Sequence, residues 1–299
     1  MKKPLTRPTK KDGFILLAVL SLMALLSGLC VVMLTSSRNS LDGAAITSDA
    51  LNIDAMVQSG LSIAGYQLFA LKTDPEAVTG QIIKLDQGSI TIKVETETGK
   101  ADLNASSKSL LAAAYMASGL RTLAPSAFAA RVVDWRDADN QVTDDGAEAA
   151  EYTAIGLAYT PANRAFRSLG DLRWIPGVSA ADILALKAFV TVNNPRGRLD
   201  VFSASPALIA ALPGVATDTV ADVISVRKFR SAASTAKLAD LLLVQSALID
   251  GELPTTYRVT LSIQLNGASH ARPFEAIMTS GVTPGAAFQV LHWADGVSA

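Results

Sequence analysis

The sequence predicts an α+β fold with a long N-terminal membrane helix, on three observations. An uncharged apolar run, Phe14 to Thr35, stands near the start of the chain. Strand-like alternation occurs in two separated places, at 81–104 and again beyond 251. An Ala-rich stretch of helical character fills the interval. The order helix, strands, helices, strands is most simply one α/β domain carrying a large helical insertion. The boundaries read as a leader at 1–13, a membrane helix at 14–35, an α/β domain at 36–104 plus 251–299, and an insertion at 105–250.

The membrane helix comes first. Lys2, Lys3, Arg7, Lys10 and Lys11 make a short basic leader that ends at Gly13. The uncharged run that follows spans roughly 33 Å as a helix, enough to cross a bilayer core. A cleaved secretory signal would need a small-residue cleavage site after Val32, and none is convincing. A lipoprotein signal ending at Cys30 would need a small residue where Leu29 stands. A retained helix with its positive leader in the cytoplasm is favoured. Cys30 is the single cysteine, so no disulfide can staple the region beyond the helix. The net charge of −1 gives no global reason to expect nucleic acid or anionic lipid as a partner.

The helical pattern continues past Thr35 to about Lys72, with no proline before Pro75 and with Gly43, Gly60 and Gly65 as weak points. Ile90, Ile92 and Val94 alternate with Thr91, Lys93 and Glu95, a half-buried strand that Asp86-Gln87-Gly88 turns from a preceding one. The chain closes on strand-like runs at 255–266, 272–280 and 287–293, in the first of which Val259, Leu261, Ile263 and Leu265 alternate.

Two motifs lie in the insertion. Residues 134–151 carry seven carboxylates against one base, Arg136, a density that water or a cation must screen. Counted from Asp137, the acids Asp139, Asp145 and Glu148 fall at positions 3, 9 and 12 of a calcium loop. Val142 stands where an EF-hand needs glycine. The segment therefore reads either as a calcium loop of another kind or as a solvated acidic loop. The second motif is a pair of Pro-Gly-Val turns, at 176–178 and 213–215, each opening a helix in the manner of a helix-hairpin-helix unit. Arg227, Lys228 and Arg230 follow the second. Residues 168–250 nevertheless hold eight bases against seven acids, too few for a nucleic-acid footprint, so the turns read as structural. His270 and His292 are the only histidines, and no nucleophile–base, metalloprotease or phosphate-loop pattern is present. An enzyme is not expected.

Together these segments resemble the K-type minor pseudopilins of the type II (general) secretion pathway. The resemblance rests on the Gly13–Phe14 leader junction, GKADLN (99–104), VVDWRDADN with the later GAE (132–140 and 146–148), LGDLRWIPGV (169–178) and RLDVFSASPALIAALPGV (198–215). Asp200 and Phe202 depart from the Asn-rich form of the last motif. The resemblance implies an inner-membrane subunit with a pilin-like α/β domain and a helical insertion in the periplasm. It implies cleavage between Gly13 and Phe14 and N-methylation of Phe14 by prepilin peptidase. It also implies I-, J- and H-type minor pseudopilins and the inner-membrane assembly platform as partners, and calcium near Asp137, Asp139, Asp145 and Glu148. Most pilin-like subunits carry glutamate at the fifth mature position, where this chain has Ala18, and its absence points to the filament tip. The alternatives are a membrane-tethered DNA receptor using the hairpins and a minor pilin of a type IV pilus.

Overall fold

The computed structural model describes residues 10–281 and 285–296. The leader residues 1–9 lie outside the described residues, and Gly13 is described in its backbone only. Two compact units divide the chain at residues 56 and 57. In the first, helix α1 (Lys10–Gly65, running on into the second unit) carries the apolar stretch Phe14–Ser36, which contains no charged residue. Its side chains, Phe14 to Leu34, are exposed, as a segment bound for lipid requires.

The second unit holds both the sheet and the helical block. The helix ends in a π-helical turn, Tyr66–Ala70, two residues before Lys72, which itself has a left-handed backbone. After a single turn, α2 (Pro75–Val78), the chain forms β1 (Ile82–Leu85) and β2 (Gly88–Thr96), the predicted hairpin. The closing segment forms β7 (Thr256–Leu265), β8 (Arg272–Ser280) and β9 (Phe288–Asp295). The five strands make one antiparallel sheet in the order β1-β2-β7-β8-β9. Its core register sets Ile90 opposite Ile263, Ile92 opposite Leu261 and Val94 opposite Val259, all six buried. Burial of each such side chain is worth about 1.5–3 kcal/mol. Gly60 of α1 faces this surface: a Cβ there would come within 2.9 Å of Leu261 and 3.2 Å of Ile90. The glycine that weakens the helix thus lets it approach the sheet closely.

The insertion is framed by β3 (Ala101–Asp102), β4 (Val190–Thr191), β5 (Leu199–Asp200) and β6 (Ile249–Asp250), which pair in parallel as β3-β4 and β5-β6. Its helices are α3 (Lys108–Ala117), α4 (Pro125–Arg136), α5 (Ala149–Ala154), α6 (Ala180–Leu186), α7 (Pro206–Ala210), α8 (Thr217–Val226) and α9 (Ala232–Leu241). They enclose a second core around Leu110, Phe128, Val132, Tyr152, Leu172, Leu186 and Leu208, with Tyr115 stacked on Phe128 at 4.7 Å. The α+β prediction is borne out. Both Pro-Gly-Val turns have their glycine in the left-handed region, Gly177 at φ 81° and Gly214 at φ 75°, as the tight turn into the next helix needs.

Sheet and insertion meet at a buried charge network. Arg258 of β7 donates through Nε to Glu97 at 2.9 Å and through Nη1 to Glu275 of β8. Lys100 lies 3.4 Å from Glu97, and the hydroxyl of Thr191, from the insertion, donates to it as well. Burial alone would raise the Glu97 carboxyl, but Lys100, Arg258 and Thr191 together hold it below its usual value.

Candidate metal centre

The acidic segment begins on the last turn of α4. Asp137 caps that helix, where the partial negative charge of the terminal carbonyls already disfavours a carboxylate. Asp139 follows in a tight turn, its Oδ1 accepting from Gln141 N at 2.8 Å. Glu148 precedes α5, and its backbone N–H is taken by Glu151 at 2.9 Å. These elements bring carboxylate oxygens of Asp137, Asp139 and Glu148 within 4.8 Å of one another.

The electrostatics are unfavourable as they stand. Glu148 is 3% exposed, and beyond a loose capping contact with the backbone of Glu151 its carboxylate oxygens make no hydrogen bond. Burial first, then the charges of Asp134, Asp137, Asp139 and Glu151, push its carboxyl up to about 7. Asp137 is raised by burial and by Asp139 and Asp134, and its Oδ1 is also buried without a partner. Arg136, the one base in the segment, points elsewhere: it donates to Leu103 O at 2.6 Å and Ser106 O at 2.8 Å. Carboxylate oxygens gathered in this way, with Asp137 Oδ1 and the Glu148 oxygens buried, form an all-oxygen donor set of the kind calcium takes.

Of the four predicted ligands, three therefore meet. Asp145 does not join them. Its backbone is left-handed, φ 67°, and its Oδ2 accepts from Ser126 Oγ at 2.9 Å. A residue that spacing alone does not single out is Asp134. It is fully buried, and its carboxylate accepts from the backbone of the 143–147 turn. The helical register offered a signal, since Asp134 stands one turn after the buried Ala130 on the same side of α4.

The other motif residues build the scaffold. Asp102 accepts from the backbone N–H groups of Asn104, Ala105 and Asn194 at 2.7, 3.0 and 2.7 Å. Asn104 pairs with both backbone groups of Phe166, whose ring lies 5.9 Å from Trp135. Asp200 takes both Nη2 contacts of Arg230, at 2.9 and 2.7 Å, and Phe202 lies under that guanidinium at 4.0 Å. Arg227 donates to the carbonyls of Val201 and Ala204. Two of the three bases after the second hairpin are thus engaged inside the protein, which leaves little for a phosphate backbone.

Fold and site together describe a chain with an apolar N-terminal helix, an antiparallel sheet and a helical insertion bearing an acidic cluster. The fold is shared with a chain in the crystal structure of the GspK-GspI-GspJ complex from the enterotoxigenic Escherichia coli Type 2 Secretion System. That likeness has a TM-score of 0.60 at 18% identity and covers 84% of this chain and 97% of the other. Residues 92–195 match the family model for protein K of the type II secretion system. The Type II secretion system protein K of Pseudomonas aeruginosa PAO1 is 30% identical over 153 residues, which is 45% of this chain and 44% of the relative. The match thus spans less than half the length of that relative. The resemblance read from the motifs is borne out: residues 92–195 are similar to the type II secretion system protein K family, and the acidic centre lies inside that stretch.

Proposed function

We propose that the protein is a minor pseudopilin that stands at the tip of a type II secretion pseudopilus and starts its assembly. The observation that carries this reading is the uncharged span Phe14–Ser36 on a chain with a protein K domain, with Ala18 in place of the usual glutamate. Within a filament, that glutamate would neutralise the N-terminal ammonium of a neighbouring subunit in an apolar setting, where an unpaired charge is costly. A subunit with no neighbour above it has no such charge to meet. The leader stays in the cytoplasm, the helix crosses the inner membrane, and the sheet and insertion lie in the periplasm. Partners of I and J type, named in the complex that shares this fold, are the first expected, followed by an H-type subunit and the assembly platform. The role is assembly, by packing of membrane helices beneath a bulky insertion, and requires no catalysis.

Calcium is the cofactor this reading adds. Asp137, Asp139 and Glu148 would hold it, and the ion would supply the positive charge that the cluster lacks. Mass spectrometry of the membrane-extracted protein tests the pseudopilin reading. Cells with active prepilin peptidase are expected to yield a chain starting at N-methylated Phe14. An intact Met1 terminus in those cells contradicts it.

A further inference from the structure

We propose that Asp134 is the positioning residue of the acidic centre: it clamps the 143–147 turn so that Glu148 faces Asp137 and Asp139. The inference rests on the cation reading above. Asp134 is 0% exposed on the last turn of α4. Its Oδ2 accepts from Ala147 N at 2.8 Å, and both its oxygens lie near Thr143 N, at 3.4 and 3.3 Å. Ala147 immediately precedes Glu148, so the contact fixes the peptide from which the Glu148 side chain springs. The turn closes on itself through Gly146 N to Thr143 O at 2.7 Å. A Cβ on Gly146 would lie 2.0 Å from Asp134 Oδ2, so only glycine lets the backbone pass this close over the carboxylate.

Asp134 also contributes charge. Among the charges acting on Glu148 it is the strongest, and it acts on Asp137 too. Among the described residues no base forms an ion pair with it, and Arg136 is spent on the carbonyls of Leu103 and Ser106. A residue kept only to tie a turn would be served by a neutral acceptor. A fourth carboxyl group beside the other three adds to the negative potential that a divalent cation would meet.

The test uses the full chain in detergent, with Asp134→Asn. Asparagine keeps an acceptor for the turn and removes the charge. Calcium affinity by titration calorimetry is expected to fall about 10–100-fold, the usual cost of losing an outer-shell partner. The rise in Tm on adding calcium is expected to shrink, while the calcium-free Tm stays unchanged or increases. Affinity within twofold of the parent in Asp134→Asn overturns the charge contribution, and unchanged affinity in Gly146→Ala, which presses on the clamp itself, overturns the positioning role. If Asp134→Asn does not fold, Gly146→Ala keeps every carboxylate and presses on the same contact. It is expected to weaken calcium binding, and unchanged affinity in that variant overturns the proposal. A parent protein that takes up no calcium overturns the cation reading itself. That result is distinct from a parent that binds and a variant that binds equally.

Discussion

Glu97 and Glu148 are both buried carboxylates, and their surroundings are opposite. Glu97 faces Arg258, Lys100 and the Thr191 hydroxyl. Glu148 faces Asp137 and Asp139, and the charges acting on it all raise its carboxyl. Around Glu97 the charge is balanced from within the fold, and the network joins two strands of the sheet to the insertion. Around Glu148 the neighbouring charges are all negative, and the carboxyl is raised instead. The contrast separates a structural junction from the proposed binding centre by one criterion, whether the compensating cation belongs to the chain.

Removing the internal cation should produce the largest effect. Arg258→Met leaves Glu97 and Glu275 buried together without their shared partner, and is expected to destabilise the protein by about 3–5 kcal/mol. Thermal unfolding followed by circular dichroism measures this. A change of under ~1 kcal/mol would mean that water reaches the network. Replacing Arg258, Glu97 and Glu275 together by apolar residues should cost less than the single change.

The two carboxylates should also titrate with opposite sign. For Glu148 the folded value of about 7 lies above the ordinary 4.5. Between these values the native state binds more protons than the unfolded state, so calcium-free stability falls as pH rises from about 4.5 to about 7. Calcium, or Glu148→Gln, should flatten that slope. Glu97 is held below its ordinary value, so its contribution is present near neutrality and is lost as pH falls through the folded value. Unfolding measured across this range, with and without calcium, separates the two. A slope through pH 5–7 that calcium leaves untouched would remove Glu148 as its source.

The smallest effect is expected at Asp145. Its side chain is turned to Ser126, so Asp145→Asn should leave calcium affinity within twofold and stability within ~0.5 kcal/mol. A tenfold loss of affinity would place Asp145 among the ligands after all.

The strands were legible because one face of the sheet is apolar: Ile90, Ile92 and Val94 on β2, and Val259, Leu261 and Ile263 on β7, alternate at period two. The same alternation hid the junction. It marks Arg258, Thr260 and Ser262 as an outer face, and nothing local reveals that Thr191, distant in the chain, reaches the network beside Arg258. In the acidic segment, spacing selected Asp137, Asp139 and Glu148, whose oxygens come together, and also Asp145, whose side chain turns to Ser126. An EF-hand count assumes a backbone path that Val142 and the left-handed Asp145 do not follow. Asp134 stood outside that count, because its part depends on a close approach by Gly146 that only coordinates reveal. The glycines of α1 were read as weak points, whereas Gly60 is where the helix meets the sheet.

Calcium titration of the full-length chain, set beside Glu148→Gln, tests the contrast most directly. The parent is expected to bind calcium with a rise in Tm, and Glu148→Gln to lose at least tenfold in affinity. Equal affinity in the two proteins, or no uptake by the parent, would contradict an acidic centre that waits for an external cation.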